Sequence, residues 1–382
     1  MANNNDKKVL NVPALRFPEF TKEWKKCTIK DYGEVITGNT PPTKNIEYYS
    51  NGSYLWASPA DLGLSKHITS TKTKLSLLGL KKTRTIPQGS ILVTCIGSTI
   101  GKMGMATETM STNQQINSVI VNDSTNNDFA YYAILNAFPR YLSEVGVQAV
   151  PILSKSNFEK LPNHTTTKEE QRKLGYFLNL LDERIATQNK IIEDLKKLKS
   201  AIYQELFSNL QGEEKSLSEL AEITKGQQVN GNQLSENGKY YVMNGGIMPS
   251  GYYDDYNTEA GTISISEGGN SCGYVQYNKS KFWSGGHCYT LHIKPTARIS
   301  TLFLFHCLKW KEEDIMALRI GSGLPNIQKK DLSKVRIIVP TFDKQQQLIA
   351  LLSTLQMKIE YEEMYTINLD KQKLHLLSQM FI

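Results

Sequence analysis

Three short segments of this 382-residue sequence contain residue types that carry chemistry in other proteins. The first, from Gly97 to Met103, reads Gly-Ser-Thr-Ile-Gly-Lys-Met and resembles a loop that binds phosphate groups. Such a loop needs four residues between its glycines and a Ser or Thr directly after the Lys. Here three residues separate the glycines and Met103 follows the Lys, so the segment does not predict a nucleotide site.

Histidines and cysteines form the second candidate, because both side chains bind zinc when they occur in closely spaced pairs. The second half of the chain contains His287, Cys288, His292, His306 and Cys307. No pair among them has the Cys-x-x-Cys spacing of a structural zinc site. If the segment from Cys288 is a strand, Cys288 and His292 share one face and His287 lies on the other. We predict partly buried core residues and no metal site; a metal- or nucleotide-dependent enzyme built on these loops is a less favoured alternative.

The third candidate is Asn39-Thr40-Pro41-Pro42, which approaches the Asn/Asp-Pro-Pro-aromatic motif of amino-methyltransferases. Thr40 interrupts the motif, and Thr43 stands where an aromatic residue is required. The sequence also lacks a glycine-rich loop for S-adenosylmethionine, a nuclease-like carboxylate cluster and a Ser/His/Asp pattern. The sequence therefore predicts a protein that has no catalytic residues and no cofactor of its own.

Two long amphipathic helices are the elements that must position any functional loops. Apolar residues recur at steps of three and four from Thr167 to Phe207, and again from Thr341 to the C-terminus. Near-heptad stripes on helices of this length predict a coiled-coil-like pair. Thr167 and Glu170 have the spacing of a capping box that would start the first helix. The predicted seam consists of Leu174, Leu178, Leu181, Ile185, Ile192 and Leu195, continued by Leu198, and of Leu348, Leu352, Leu355, Ile359 and Leu369.

The two helices are related by one constant offset in residue number, which we name the helix offset. It places Leu348 on Leu174 and Phe381 on Phe207, and it runs between these pairs without gaps. An ungapped match of this length predicts an internal duplication, in which a globular unit and a long helix occur twice.

The segments before the helices repeat as well. Residues 150–161 align with residues 324–335 at the helix offset, and 29–38 resemble 217–226 at a larger one. Two pairs of glycines, Gly97 with Gly269 and Gly101 with Gly273, match at a slightly smaller offset, which we name the glycine offset. The offsets differ because the loops between the repeated segments differ in length. The helices and the segments named above are therefore repeated, whereas the loops are not. Divergence between old duplicates explains such loops as well as recognition of two different ligands does.

The globular units read as α+β, with short strands at 53–57, 90–96 and 118–121 and helices at 128–144 and 301–310. The predicted boundaries are an N-terminal arm (1–20) docked on the first domain through Phe17 to Phe20, a first domain (21–166), a central helix (167–210), a second domain (211–340) and a C-terminal helix (341–382).

Composition narrows the class of protein. Hydrophobic residues make up 40% and charged residues 21%, as in ordinary globular proteins. The sequence contains no run of eighteen apolar residues, so it does not predict a membrane span. The segment from Met1 to Lys8 lacks the apolar core of a signal peptide. Five scattered cysteines are typical of a reducing cytoplasm. The net charge is +7, and basic side chains outnumber acidic ones by 18 to 12 in the segment 1–166. This excess permits binding to a polyanion without requiring it.

These repeated blocks resemble the specificity subunit of Type I restriction-modification systems. The resemblance rests on the repeated Pro-to-Lys segments before the helices, on Glu170-Gln171 and Gln345-Gln346 at the helix starts, and on Asn11 to Phe20. It covers nearly the whole chain. One feature departs from the family: a Pro usually stands shortly before Glu-Gln, as Pro340 does, but Thr165 to Thr167 occupy that place in the first repeat.

The resemblance implies two target-recognition domains at opposite ends of two long antiparallel helices, related by an internal pseudo-twofold axis. Each domain would read one half of a bipartite, asymmetric site on double-stranded DNA, and the helix pair would set the spacer between the halves. Two modification subunits with S-adenosylmethionine would methylate adenine, and restriction subunits with ATP and Mg would cleave the DNA. A stand-alone DNA-binding or anti-restriction protein on the same scaffold is the main alternative.

Candidate DNA contacts follow from residue type and from predicted loops. Base edges are read by Arg, Lys, Asn, Gln, Ser and Thr, and phosphates are bound by Lys, Arg and backbone amides. In the first domain the candidates are Thr40, Lys44, Trp56, Ser58, Lys81, Lys82, Arg84, Ser98, Lys102, Asn113, Gln114 and Gln115. In the second domain they are Lys225, Gln227, Gln228, Asn244, Asn270, Ser271, Tyr274 and His287.

Overall fold

The structure, a computed structural model, describes residues 11–145, 152–321 and 323–382. It divides into two compact units, the first made of Met1–Asn189 with Met364–Ile382 and the second of Lys190–Glu363. Each unit contains one α+β domain and a part of each of two long helices, which confirms the predicted fold class. The first ten residues of the predicted arm, and Val150 and Pro151 of the repeated block, lie outside the described residues.

The first domain combines three sheets with one long helix. Its elements are β1 Lys25–Thr28, α1 Ile29–Tyr32, β2 Gly33–Thr37, β3 Tyr54–Ala57, β4 His67–Ile68, β5 Thr73–Leu75, α2 Leu77–Leu80, β6 Thr85–Ile86, β7 Ile91–Thr94, β8 Met103–Ala106, β9 Met110–Thr112, β10 Ile116–Val121, α3 Asn127–Val145, α4 Lys155–Glu159 and β11 Pro162–Thr165. The strand orders are β2-β10-β7-β8-β4, β5-β3-β9-β6 and β1-β11. Helix α3 buries Phe129, Tyr132 and Phe138 against the first of these sheets, so its apolar face forms the centre of the core.

The second domain repeats this plan after the first long helix, α5 Lys168–Ser208. Its elements are β12 Glu213–Ser216, α6 Leu217–Leu220, β13 Ala221–Lys225, β14 Tyr240–Met243, β15 Tyr252–Tyr253, β16 Thr262–Ser266, β17 Val275–Asn278, β18 Trp283–Ser284, β19 Cys288–Ile293, α7 Thr301–Trp310, α8 Glu312–Ala317, α9 Lys329–Leu332 and β20 Arg336–Val339. The second long helix, α10 Phe342–Met380, follows. The strand orders are β13-β19-β16-β17, β15-β14-β18 and β12-β20.

The duplication extends to individual backbone angles. Gly97 and its partner Gly269 have φ of 96° and 80°, and Gly101 and Gly273 have φ of 92° and 93°. This left-handed region disfavours residues with a Cβ. At Gly101 a Cβ would also stand 2.8 Å from the Phe138 ring. The phosphate-loop-like segment is therefore a tight turn between β7 and β8 that requires glycine for steric reasons.

The long helices run antiparallel in both units. In the first unit Asp182 of α5 forms an ion pair with Lys373 of α10, and Arg184 of α5 donates to the hydroxyl of Tyr365 of α10. In the second unit the Lys199 Nζ donates to Gln356 Oε1 at 2.7 Å, and Lys196 pairs with Glu363 at 2.6 Å. Within each unit, higher numbers on α5 therefore meet lower numbers on α10.

The apolar stripes serve two purposes. Burial is as predicted for the seam residues up to Leu195 and from Leu348 onward, which are all buried or half-buried. Four of them pack into the domains, however: Leu174 and Leu178 into the core of the first domain, and Leu348 and Leu352 into that of the second. The prediction for Leu198 is wrong, since this side chain is 51% exposed. At about 3.6 residues per turn, the next inward position after Leu195 falls four residues on, at a lysine, and not at Leu198.

Equivalent contacts attach each domain to the long helices. Gln171 Oε1 accepts from Asn126 N at 2.8 Å, and its counterpart Gln345 Oε1 accepts from Ser300 N at 2.9 Å. Both acceptors thus hold the backbone directly before a domain helix, α3 or α7. The Nε2 atom of each glutamine donates to a backbone oxygen before its own helix. These buried glutamines belong to the Glu-Gln and Gln-Gln pairs, so their role in the motif is structural.

The ends of the helices also close the domain cores. Phe381, at the end of α10, stacks on Phe129 with ring centres 5.6 Å apart. Phe207, at the end of α5, lies 6.2 Å from Phe303. Both members of one pair correspond to those of the other at the helix offset. Each domain is therefore completed by the helix that ends at it as well as by the one that begins there.

The N-terminal arm docks on the core of the first domain and also on the first long helix. Phe17 packs against the first-domain core cluster, and its ring lies edge-on to Phe177 of α5 with ring centres 5.9 Å apart. The Arg16 guanidinium donates to both carboxylate oxygens of Glu170, at 2.7 and 2.8 Å. Glu170 N donates to Thr167 Oγ1 at 3.4 Å, but its carboxylate binds Arg16, Trp24 and Thr166, so half of the predicted capping box is absent.

Candidate nucleic-acid interface

Three loops of each domain carry half of the predicted DNA contacts. In the first domain they are the segments after β2, after β3 and before β10. Strands β2 and β10 are antiparallel neighbours, so the end of one meets the start of the other. The second domain has the same three loops after β13, after β14 and before β19. The candidate interface of each domain is therefore built on equivalent, sequence-distant segments.

Asn39 connects the loops of the first domain, although sequence reasoning did not select it. Its Oδ1 accepts from Arg84 N at 2.8 Å, and its Nδ2 donates to Lys82 O at 2.8 Å. Its backbone oxygen accepts from Trp56 Nε1 at 3.2 Å. Asn39 thus places three predicted contact residues around one side chain. It opens the Asn-Thr-Pro-Pro motif, and that motif was the available signal.

Other hydrogen bonds extend this cluster. Thr40 donates to Gln114 Oε1, and Asn113 Nδ2 donates to Gln115 Oε1 at 3.1 Å. Arg84 Nη1 donates to Thr37 O at 2.8 Å, so the guanidinium lies across the end of β2. The structure brings together Thr40, Trp56, Lys82, Arg84, Asn113, Gln114 and Gln115, which we name the first loop cluster.

The remaining first-domain predictions have mixed settings. Lys44 and Lys81 are exposed, and Lys81 directly follows α2, one residue before Lys82. Ser98 is exposed on the tight turn whose Gly97 lies beside Gln115. Ser58 donates to Asp61 Oδ2 at 2.7 Å and caps a short turn. Lys102 lines a cavity beside the long helices together with Asp182, so its surroundings differ from those of the loop cluster.

The second domain has its own loop cluster, made of Lys225, Gln227, Gln228, Asn244 and His287. His287 N donates to Asn244 Oδ1 at 3.1 Å, which joins two of the loops. Gln227 O accepts from Trp283 Nε1 at 2.8 Å, and Gln228 lies next to Gly286. His287 occupies the position of Gln115 at the glycine offset. Equivalent positions therefore present different side chains in the two domains.

Glu267 contacts two residues of this second loop cluster, although the sequence analysis did not select it. Its Oε1 forms an ion pair with Lys225 Nζ at 2.6 Å, and its Oε2 lies 3.6 Å from His287 Nδ1. Tyr289 donates to Glu267 Oε1 at 3.0 Å. Burial first, and then the neighbouring carboxylate, raises the pKa of Tyr289 to about 12. The first domain has Cys95 at this position, so a residue-by-residue comparison of the repeats was the available signal.

The other second-domain predictions lie on or near the turn after β16. Asn270 is exposed, and Ser271 is half-buried on the same turn. Tyr274 lies under Lys309, whose Nζ is 4.1 Å from the ring centre, and it lines a cavity against the long helices. This tyrosine therefore has surroundings different from those of the second loop cluster.

The histidines and cysteines have separate settings. His287 and His292 are exposed, contrary to the expected partial burial, whereas Cys288, His306 and Cys307 are buried. His292 lies on the face of β19 opposite Leu291 and Ile293, which pack on the core, and its neighbour across the sheet, Glu222, is exposed as well. Across residues 11–145, 152–321 and 323–382, no group of three or more His, Cys, Asp or Glu side chains is arranged to hold a metal ion. In the same described ranges, no helix is both long and apolar enough to span a bilayer.

The family model described as Type I restriction modification DNA specificity domain matches this chain twice, at residues 21–197 and 210–369. The chain belongs to this family. The two matches coincide with the two domains and their helices, so the same family domain occurs twice in this chain. Each copy includes one loop cluster.

Curated relatives carry consistent names. A putative type I specificity subunit of Mycoplasma pneumoniae is 34% identical over 157 residues, which cover 41% of this chain and 42% of that protein. A Type I restriction enzyme specificity subunit of Haemophilus influenzae is 30% identical over 185 residues, covering 46% of this chain and 39% of that protein. Each of these alignments spans less than half of the relative's own length.

The fold also occurs in a solved structure. The crystal structure of a Type I restriction-modification S subunit from M. genitalium matches with a TM-score of 0.66, and the alignment covers 97% of this chain and 99% of that one. The sequences are 21% identical in this comparison, so the likeness concerns the fold.

Proposed function

We propose that this chain is the specificity subunit of a Type I restriction-modification complex and reads a bipartite, asymmetric DNA site. The observation that carries the proposal is the pair of loop clusters, placed on equivalent loops of two duplicated domains but made of different side chains. A symmetric scaffold with two different reading surfaces is suited to two different half-sites. The helix pair would then set the spacer between them.

The chemistry of the clusters supports DNA as the ligand. Amide side chains pair with adenine and arginine pairs with guanine in the major groove, and both types occur in the first loop cluster. Lys82 of that cluster and Lys44 and Lys81 on adjoining segments are exposed and would bind phosphates. In the second loop cluster, Glu267 would hold Lys225 in a fixed orientation. Ser98, Asn270 and Ser271 remain candidate contacts on the adjoining turns.

Modification, cleavage and cofactor binding are assigned to partner subunits. Two modification subunits would bring S-adenosylmethionine, and restriction subunits would bring ATP and Mg. This chain would be non-catalytic and would act in the cytoplasm, where its five cysteines stay reduced. All five are free thiols in this structure.

Exposed apolar side chains on the long helices are the proposed docking points for the modification subunits. On α10 within the first unit, Ile367 is 54% and Leu374 is 66% exposed. Substituting Ile367→Glu with Leu374→Glu should abolish co-purification with the modification subunit, because charge at a buried interface costs desolvation energy. Gln372→Glu with His375→Glu adds the same acidic side chains at exposed polar positions of α10 and should leave co-purification unchanged.

The deciding experiment is single-molecule sequencing of DNA from cells that express this chain with its neighbouring modification subunit. We expect methylated adenine in two short half-sites that flank a fixed, unspecified gap. Thr40→Ala with Gln114→Ala should change one half-site, and Gln227→Ala with Gln228→Ala the other. Absence of methylation, with both proteins folded, would instead favour a stand-alone DNA-binding protein.

A further inference from the structure

Each unit has a cavity of about 680 Å³ between its domain and its long helices, and the two cavities are equivalent. Five pairs of positions that line or adjoin them correspond at the helix offset. These pairs are Asp128 and Leu302, Tyr132 and His306, Asn179 and Ser353, Asp182 and Gln356, and Lys373 and Lys199. The same space therefore has two different sets of walls.

In the first unit, these positions form a closed ionic network. Lys66 Nζ donates to Asp128 Oδ1 at 2.6 Å and to Asn179 Oδ1 at 2.9 Å. Tyr132 donates to Asp182 Oδ2 at 2.6 Å, and Asp182 also pairs with Lys373. Each lysine of this network thus has a carboxylate partner.

In the second unit, both carboxylates are missing from the equivalent positions, while one lysine is kept. Leu302 replaces Asp128 and Gln356 replaces Asp182, so Lys199 Nζ binds an amide oxygen at 2.7 Å. Within the described part of the chain, no carboxylate is in ion-pair contact with Lys199. Burial, and then the nearby charge of Lys309, lower the pKa of Lys199, while the carboxylates of Glu360, Glu312 and Glu363 act in the opposite direction without contacting it.

The other charges of this cavity are paired with each other. Lys279 and Glu360 form an ion pair of 3.4 Å at the exposed edge, and Lys309 binds Glu312 at 2.6 Å. Around Lys199 the wall is aromatic and apolar, with Tyr277, Phe305 and Met357 lining it. A cavity of this size with a largely apolar wall and one lysine that has no direct carboxylate partner has the properties of a small-molecule site.

Two buried polar atoms at the same cavity lack hydrogen-bond partners. His306 and Gln276 both line it, and neither His306 Nε2 nor Gln276 Oε1 has a partner among the described residues. His306 is 3% exposed, and its other ring nitrogen, Nδ1, is 2.6 Å from the Tyr203 hydroxyl. Buried polar groups are normally satisfied, so unsatisfied ones beside a cavity point to a polar ligand.

We propose that the cavity of the second unit binds a small aromatic carboxylate. The carboxylate group of the ligand pairs with Lys199. It thereby takes the role that the Asp182 carboxylate has for Lys373 in the first unit. The aromatic ring packs against Phe305, Tyr277 and Met357. The site is independent of DNA reading and adds an effector function to the chain.

The test is calorimetric titration of the full chain with 2-naphthoate and with its neutral analogue 2-naphthamide. Naphthoate should bind at least tenfold more tightly than naphthamide. Gln356→Glu restores an acidic residue, as in the first unit, next to Lys199 and should weaken naphthoate binding at least tenfold, as should Lys199→Gln. Lys196→Gln removes an exposed charge of the same helix that does not line this cavity, and it should leave the affinity unchanged.

Three results would overturn the proposal. The first is that the wild-type chain does not bind naphthoate at millimolar concentration. The second is equal affinity for naphthoate and naphthamide, which would remove the role of the charge. The third is unchanged binding by Gln356→Glu in protein whose thermal unfolding matches that of the wild type. Because the readout is ligand binding without DNA, none of these results depends on the DNA-reading proposal.

Discussion

In both units the domain packs against the long helices with the same backbone arrangement. The cavity between domain and helices, called the crevice below, is lined by different side chains in the two units. In the first unit, charged and polar side chains line the crevice. Lys66, which is buried with 8% exposure, donates hydrogen bonds to Asp128, Tyr132 and Asn179. The second unit has leucine, histidine and serine at the three equivalent positions. Three of the polar side chains of the crevice can therefore be replaced without loss of the fold.

What stays the same in both units explains why this change is tolerated. The buried glutamines Gln171 and Gln345 and the aromatic pairs at the helix ends are kept at the helix offset. These contacts attach each domain to its helices. The loop clusters and the crevices are relieved of that task, so they are free to diverge toward different ligands.

The largest expected difference between the units concerns Lys66. Lys66→Met should cost about 3 kcal/mol of unfolding free energy, because it leaves the partly buried Asp128 without its cation. Lys199→Met, in the second crevice, should cost less than about 1 kcal/mol, since no carboxylate loses a direct ion-pair partner. Urea unfolding of both variants checks this, with exposed Lys72→Met as the control. Equal costs for Lys66 and Lys199 would remove the contrast between the crevices.

A pH dependence should distinguish the second crevice from the first. Burial, assisted by the charge of Lys199, lowers the pKa of His306 to about 4. The unfolded chain takes up this proton near pH 6.5, so stability should fall as the pH drops from about 6.5 to about 4, by about 2 to 3 kcal/mol.

His306→Gln should remove this dependence, whereas His292→Gln, at an exposed histidine of β19, should keep it. The first unit has Tyr132 in this place and contributes no such proton uptake. Urea unfolding of the three proteins at several pH values measures the effect. An unchanged pH profile in His306→Gln would show that the acid sensitivity originates elsewhere.

Charge reversal at the first loop cluster tests its predicted contacts with DNA. Lys81→Glu with Arg84→Glu should weaken DNA binding roughly 30-fold at low salt and reduce the salt slope by about 2, since two phosphate contacts are lost. Lys30→Glu with Lys160→Glu makes the same charge change at exposed positions by the opposite end of β2. These controls should retain the salt slope; an identical loss in both pairs would reduce the effect to overall charge.

The smallest expected effect tests what the units share. Gln171→Ala and Gln345→Ala should each cost about 1 to 2 kcal/mol, because each leaves buried backbone groups unpaired. The two costs should agree, since the contacts of the two side chains are equivalent. Thermal unfolding measures them, with exposed Lys344→Ala as the control. A large difference between the two glutamines would mean that the domains are attached in different ways.

Sequence reasoning reached the fold through long-range regularity. The helix offset, the apolar stripes of α5 and α10, and the matched glycines at 97 and 269 predicted two α+β domains with paired helices. It was less successful with side chains whose partners are distant in sequence. It missed Asn39 and Glu267, it placed Leu198 on the apolar seam, and it expected His292 to be partly buried. The residue-level predictions of DNA contact remain predictions.

Residue order is enough to predict the duplication, the helix pair and the likeness to the family, because apolar periodicity and repetition are properties of the sequence. Which loops meet follows from the fold, because sheet pairing brings residues 39, 82 and 113 together across gaps that no local pattern spans. The fold also decides the chemistry of the crevices. Whether a lysine is neutralised depends on which side chain lies within a few ångströms, and that distance exists only after folding.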